Sequence, residues 1–277
     1  MKRKFNFLSF SLFLALALII TSWLYILLID KADFLGMFSE KNFMYTKKFL
    51  NGLIGGNDKN PAFKDPKAIK GALKLTYETL QMSVMAIGFA TIFMFVTVIP
   101  GARNVADGSL TLSKKWYNWI LFGVIRALYI FSRAVPELVW ALIIVFIIKP
   151  GILPGALALA LHNFGVLGKL CTEVVEDLDL RPIRNLASCG ANPIQILIYG
   201  VIPSVMPKFL TYILYRGEVI LRTTIVVGFV GAGGLGQEFK LAMSYFRYTE
   251  ITLLLICYVL LVVLADLMSE GSRKLAG

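Results

Sequence analysis

The residues of this sequence best suited to do chemistry are ionisable side chains inside long apolar stretches. A charge at membrane depth is costly and usually serves a function. Arginine also presents a planar fork that matches the oxygens of phosphate-type anions. These side chains would therefore suit a pathway lined with partly neutralised positive charge. They are, in chain order, Arg133, Glu137, His162, Arg216, Glu218 and Arg222.

Four of these residues have a partner at helical spacing. Glu137 lies four positions after Arg133, and Arg222 lies four positions after Glu218. Residues four apart meet on one face of a helix. For both pairs we favour an ion pair that fixes the helix register, and the alternative of a substrate contact stays open.

His162 and Arg216 have no obvious partner on their own helices. Each is therefore a candidate to face a cavity. For His162 the alternative is a neutral ring that bonds a neighbouring backbone carbonyl.

The stretch VVGFVGAGGLGQEF contains G-x-G-x-x-G, the spacing of a dinucleotide-binding loop. Gly231, Gly233 and Gly236 form the pattern, with Gly234 between them. A dinucleotide fold also needs alternating strands and helices, and an acidic residue about 20 positions further on. The sequence provides neither, so we favour a sharp bend where helices pack closely.

Composition indicates a membrane protein. Of 277 residues, 57% are hydrophobic and 16% are charged, and the mean hydropathy is +0.73. Soluble domains have about 45–50% apolar and about 25% charged residues. Basic residues beside membrane spans explain the net charge of +11 better than nucleic-acid binding does. One histidine and three cysteines give neither a multi-histidine metal centre nor a disulfide framework.

We predict an all-α membrane protein with about six transmembrane helices. A span needs about 20 mostly apolar residues, and the candidates are 7–29, 76–99, 118–148, 152–176, 203–229 and 251–269. Basic residues place both termini inside by the positive-inside rule; they are Lys2, Arg3, Lys4, Arg273 and Lys274.

The segment 30–74 disagrees with this orientation, because parity places it outside while its lysines favour the inside. We interpret the part from Phe43 to Leu53 as an amphipathic helix in the membrane interface. The predicted organisation is thus 1–75 for the first span with its interfacial linker, and 76–277 for the core.

The segment EDLDLRPIRNLASCGANPIQILIYGVIP joins the fourth and fifth spans. Its polar start and helix-like spacing predict a short helix that projects into the cytoplasm, with an ordinary loop as the alternative. Pro203 follows Gly190 by thirteen positions, a spacing that resembles the loop signature of binding-protein-dependent ABC importer permeases. The segment departs from that signature where the family has E-A-A, because Arg184, Asn185 and Leu186 stand there.

Four further stretches are similar to the permease of phosphonate importers. They are SRAVPELVWAL, LALALHNFGVLGKL, LYRGEVILRTT and VGFVGAGGLGQE, and the resemblance covers 76–269 in order. Permeases of this type are associated with phosphonate, phosphite and, in some members, phosphate uptake. The resemblance implies the type I ABC importer permease fold, with a cytoplasmic coupling helix, in the inner membrane.

The resemblance also implies partners and roles. They are a second copy of the permease, two ATP-binding subunits, an external phosphonate-type binding protein and the membrane lipids. The coupling helix would include Arg184, Gly190, Ala191 and Pro203. A periplasmic bend beside the gate would include Gly231, Gly233, Gly234 and Gly236, with a simple packing turn as the alternative.

The chain is not expected to be an enzyme or to bind a cofactor. It has no Walker A sequence, so ATP and Mg²⁺ would be used by a partner. Three other functions stay open at this point. They are a permease for phosphate or an amino acid such as methionine, a passive channel, and a membrane oxidoreductase that uses the G-x-G-x-x-G motif.

Overall fold

The computed structural model describes residues 7–30, 33, 36–56, 58–110 and 115–276. All regular secondary structure in these ranges is helical, which confirms the predicted all-α fold. Lys2, Arg3 and Lys4 lie outside the described residues, and the predicted orientation of the termini stays a prediction. The α-helices are α1 Phe7–Leu28, α2 Glu40–Ile54, α3 Pro66–Val98, α4 Arg103–Ala106, α5 Trp116–Ala134, α6 Glu137–Ile148, α7 Ile152–Glu176, α8 Leu180–Ser188, α9 Pro193–Gln195, α10 Ile202–Val227, α11 Gly234–Ser244 and α12 Tyr248–Ala276.

Short helical pieces of other types connect these helices. Two 3₁₀ turns, Gly36–Phe38 and Ala62–Lys64, precede α2 and α3. Two π-helical stretches, Ile196–Val201 and Gly228–Ala232, lie at the two ends of α10. Wide turns of this kind often mark functional positions in helices.

The chain divides into two units, 1–57 and 58–277. In the first unit, α1 is apolar and has no buried residue. Helix α2 begins at Ser39, whose side chain accepts from the Asn42 N–H, and ends at Gly55 with φ 80°. A helix at the predicted amphipathic segment is thereby confirmed, and its place in the membrane interface stays a prediction. The expected boundary at residue 75 lies inside α3.

Five stretches of the described chain have the length and hydropathy of a membrane span, and α5 with α6 would make a sixth. The span predicted over 118–148 consists of two helices, because α5 and α6 meet at 93°. Val135 is extended at φ −87° and ψ 123°. Pro136 explains this break, since it has no N–H for the helix ladder and excludes the residue before it from the helical region.

Helix α7 is the centre of the second unit and packs against α3, α5, α6 and α10. Small residues make this possible because they let helix backbones approach closely. A Cβ added at Gly165 would lie 2.7 Å from the Tyr129 carbonyl oxygen, and one added at Gly168 would collide with the Tyr129 ring.

Two apolar clusters are built along α7 and α10. Leu167 and Phe209 belong to the first, with residues of α3 and α8. Leu159 and Ile220 belong to the second, with residues of α3, α6 and the π-helical stretch after α10. The polar residues between these positions on α7 and α10 therefore lie between two apolar layers.

Candidate functional site

The break between α5 and α6 leaves backbone carbonyls that a continuous helix would have used. The Trp140 ring N–H donates to the Ser132 carbonyl at 3.0 Å. His162 Nδ1 lies 3.0 Å from the Val135 carbonyl oxygen. Because a carbonyl only accepts, Nδ1 is the protonated nitrogen. The bond from His162 to a backbone carbonyl, one of the two sequence interpretations, is thus confirmed.

Glu137 begins α6 on the far side of the break and faces His162. Its Oε2 lies 3.4 Å from His162 Nε2, and both side chains are largely buried. The predicted ion pair between Glu137 and Arg133 is wrong. The break at Pro136 separates their helices, and Arg133 makes no ion pair among the described residues.

Asn163, the residue after His162, holds Arg216. The Asn163 Oδ1 atom accepts from Arg216 Nε at 3.0 Å and from Nη2 at 2.5 Å. The Asn163 amide nitrogen donates to the Leu159 carbonyl at 2.8 Å. We name Glu137, His162, Asn163 and Arg216 the inner cluster. It joins α6, α7 and α10 between the two apolar layers.

The second predicted pair, Glu218 with Arg222, lies on α10. Arg222 Nη2 bonds both carboxylate oxygens of Asp266 on α12, each at 2.8 Å. Arg222 thus makes a contact between two helices, and its pairing with Glu218 stays a prediction. Glu218 itself is half-buried on α10.

A second polar group lies at the end of α7 and was not predicted. Arg126 of α5 bonds Glu176 through Nη2 and the Gly101 carbonyl through Nε at 3.0 Å. Glu176 also accepts from the Arg103 backbone N–H at 2.6 Å. We name Arg126, Glu176, Gly101 and Arg103 the end network. Glu176 is thus bound within its own chain.

The segment after Glu176 forms the short helix that the sequence predicts. The Asp179 carboxylate caps α8 by accepting from the Arg181 N–H at 3.0 Å. The side-chain hydrogen bond from Arg181 also holds the pKa of the Asp179 carboxyl below its usual value. Ile183 is the residue of α8 that is buried, in the first apolar layer. Arg184 is exposed.

A tight turn follows α8 and leads through α9 and the π-helical stretch into α10. Gly190 has φ 85°, and the Ala191 N–H bonds the Leu186 carbonyl at 3.1 Å, as at many helix ends. A Cβ at Gly190 would meet no atom within 4 Å, so the backbone angle constrains this position. Pro203 lies exposed in the first turn of α10.

The glycine motif follows a helix, not a strand, and its backbone is packed against neighbouring helices. Gly231, Gly233 and Gly234 have φ of 98°, 86° and 65°, which confirms a sharp bend. A Cβ at Gly236 would lie 2.9 Å from the Gly228 Cα atom. The Leu235 N–H donates to Thr79 Oγ1 at 2.9 Å. The segment therefore joins α10 to α11 with backbone against backbone. Its position at a gate stays a prediction.

Possible metal ligands are sparse in the same part of the chain. Over the ranges given above, no three His, Cys, Asp or Glu side chains lie close enough to hold a metal ion. The chemistry that this arrangement supports is the handling of a charged solute among helices.

The apolar helices, the charged cluster between them and the capped turn after α8 suit a subunit of a membrane transporter. The family model described as "Binding-protein-dependent transport system inner membrane component" matches residues 108–275. The chain belongs to this family and is an ABC importer permease of the type I fold.

Relatives and solved structures agree with this assignment. The phosphite transport system permease protein PtxC of Stutzerimonas stutzeri is 34% identical over 81% of this chain and 79% of its own length. The putative cryptic phosphonate transport system permease protein PhnE2 of Escherichia coli (strain K12) is 40% identical over 43% of this chain and 97% of its own. A chain from inward-facing conformations of the MetNI methionine ABC transporter aligns with a TM-score of 0.64 at 18% identity, over 77% of this chain and 99% of that one.

Proposed function

We propose that this chain is the membrane subunit of an ATP-driven importer of phosphite, phosphonate or a closely related phosphorus oxyanion. Two copies would enclose a pathway across the inner membrane and expose it to each side in turn. Capture of the solute would belong to an external binding protein. ATP hydrolysis, with Mg²⁺, would belong to two separate subunits.

The observation that carries the substrate class is the similarity to a phosphite permease, at 34% identity over 81% of the chain. The inner cluster is consistent with it. An oxyanion must lose water to cross a membrane, and an arginine can replace that water with N–H donors in a matching plane. Arg216 is half-buried, and its charge is not directly bonded to a carboxylate in the described structure.

The turn around Gly190 supports coupling to a separate ATPase. Helix α8 is short and its outer residues, Arg184 among them, are exposed, while Ile183 is buried in the first apolar layer. A partner that moved α8 would therefore displace α7 and α10 through side chains already in contact. Such rigid-body motion is a common means of switching between two states.

Uptake by cells tests the proposal. Radiolabelled phosphite and methylphosphonate are offered to cells that carry the partner subunits, with and without this gene. We expect uptake that depends on the gene and is reduced by the unlabelled form of either compound. Uptake reduced only by phosphate would reassign the substrate to phosphate, and uptake reduced only by methionine would reassign it to an amino acid.

Cofactor binding by the purified protein, together with the uptake results, separates a transporter from an oxidoreductase. We expect purified protein to bind neither NADH nor FAD, because the G-x-G-x-x-G segment is occupied by helix packing. Stoichiometric binding of either cofactor, with no uptake of any of the four solutes, would overturn the proposed function.

A further inference from the structure

Asn163 has a geometry that no pattern in the sequence indicated. Its side chain is buried, with 2% of its surface exposed. It uses one hydrogen bond, to the Leu159 carbonyl, to fix the orientation of its amide. The amide oxygen then points at Arg216 and accepts two hydrogen bonds. The guanidinium is held from one side.

The chemical identity of this partner sets Arg216 apart from other arginines that the structure describes. Four of those arginines bond a carboxylate, namely Arg126, Arg181, Arg222 and Arg247. A carboxylate both positions an arginine and cancels its charge, whereas an amide oxygen positions it and leaves the charge.

The carboxylate of Glu137 lies near Arg216 but is not its hydrogen-bond partner. Glu137 acts on Arg216 at longer range, but its carboxylate contacts His162. Arg216 Nη1 makes no hydrogen bond within the ranges that the structure covers. A donor face of the guanidinium therefore remains for another acceptor.

We infer that Asn163 holds Arg216 in place without cancelling its charge, so that the positive charge stays available to an oxyanion. The inference rests on the proposed function. Asn163 acts through Arg216 and is a positioning residue. Its oxygen is suited to this role because it is a strong acceptor without a formal charge.

The substitution Asn163→Asp tests the inference, because Asp has almost the same shape. It keeps an acceptor for Arg216 and adds a negative charge. We expect phosphite uptake per molecule to fall about tenfold or more, since a unit charge in contact with a half-buried arginine is a large perturbation. Asn163→Ser, which keeps a neutral acceptor, is the matched variant and should retain more uptake than Asn163→Asp.

Two further measurements separate an effect of charge on transport from a loss of folded protein. Membrane abundance and co-purification of the partner subunits should stay near wild type in Asn163→Asp. If Asn163 were only structural, Asn163→Asp would hold Arg216 at least as well and would match or exceed Asn163→Ser in uptake. That result would overturn the inference.

A rescue variant covers the case in which Asn163→Asp fails to accumulate. Adding Glu137→Gln restores the net charge of the inner cluster, and uptake should recover relative to Asn163→Asp. An abundant double variant without uptake would contradict the charge argument.

Uptake by wild-type cells distinguishes failure of the proposed function from failure of the inference about Asn163. Absence of oxyanion uptake there removes the proposed function, whereas normal uptake in both wild type and Asn163→Asp removes the inference alone.

Discussion

The inner cluster and the end network each contain one arginine that is largely buried between helices, but the two arginines have different partners. In the end network, Arg126 bonds the carboxylate of Glu176 and a backbone carbonyl. In the inner cluster, Arg216 bonds the amide oxygen of Asn163. Both arrangements satisfy guanidinium donors, yet only the first also cancels the charge within the contact.

This difference teaches how to separate a structural arginine from a functional one. A buried ion pair is costly to break because the remaining charge has no partner, so Arg126 and Glu176 should affect folding. An arginine on a neutral partner can be removed without leaving a bare opposite charge. Arg216 should therefore affect transport more than abundance.

The largest effect is expected at the turn beyond the end network, in Gly190→Val. A φ of 85° is strongly unfavourable for a β-branched residue, and a left-handed residue costs about 1–2 kcal/mol for ordinary side chains. We expect phosphite uptake to fall to background while the protein stays in the membrane. Immunoblots of membranes and uptake assays measure the two quantities.

Two control variants sharpen the Gly190 test. Gly88→Val makes the same change in α3, where an added Cβ meets no atom within 4 Å and φ is not positive, and it should transport normally. Gly190→Asn should keep much of the uptake because asparagine tolerates the left-handed region. If asparagine fails as completely as valine, the space around Gly190 matters more than its backbone angle.

The second-largest effect on uptake is expected for Arg216→Ala. Hydrogen bonds to charged groups contribute about 1.5–3 kcal/mol, so the loss of a substrate contact predicts a fall in uptake of roughly tenfold to 100-fold. Membrane abundance should remain near wild type, as measured on immunoblots of the same cells.

Arg222→Ala is the matched control on the same helix. Its ion pair with Asp266 is partly exposed, so we expect little change in uptake. Equal loss of uptake in both variants would show that any arginine on α10 is required. The type of partner, amide or carboxylate, would then not predict which arginine is needed for transport.

Most of the fold could be predicted from the sequence, because apolar length sets a span and local chemistry sets a helix end. The turn at Gly190 and the bend at Gly231 were found in this way. The break at Pro136 was missed although its signal was present, since proline removes a donor and constrains the preceding residue.

Partners between helices could not be found from spacing. Asp266 is 44 positions from Arg222, and Asn163 is 53 positions from Arg216. Spacing along one helix reveals only neighbours about one turn away, so it suggested Glu218 for Arg222 and gave no partner for Arg216. Which faces of α7, α10 and α12 meet depends on small residues and on packing, and a single sequence does not encode these in a local pattern.

A smaller effect is expected for the ion pair in the end network. Arg126→Met leaves the Glu176 carboxylate partly buried with fewer donors, and Glu176→Gln leaves the arginine without its counter-ion. Each should lower the stability of the purified protein by about 1–3 kcal/mol, reduced from fully buried values because both side chains keep some exposure.

The double variant Arg126→Met with Glu176→Gln should recover part of this loss. Thermal unfolding in detergent of the four proteins gives the coupling between the two sites. Strictly additive losses would mean that the two residues do not stabilise the fold as a pair. Uptake per molecule should stay near wild type in all four, in contrast to Arg216→Ala.

The smallest effect is expected for Glu173→Gln, one turn before Glu176 on α7. Glu173 pairs with Lys169 at 3.3 Å, and both side chains are about two-fifths exposed, at 44% and 40%. Exposed pairs at this spacing contribute about 0.3–0.5 kcal/mol, so thermal unfolding should hardly change. Glu173→Gln removes the same charge from the same helix as Glu176→Gln, so the two variants differ chiefly in their partners. If both lower the unfolding temperature equally, net charge at this end of α7 matters rather than the bond to Arg126.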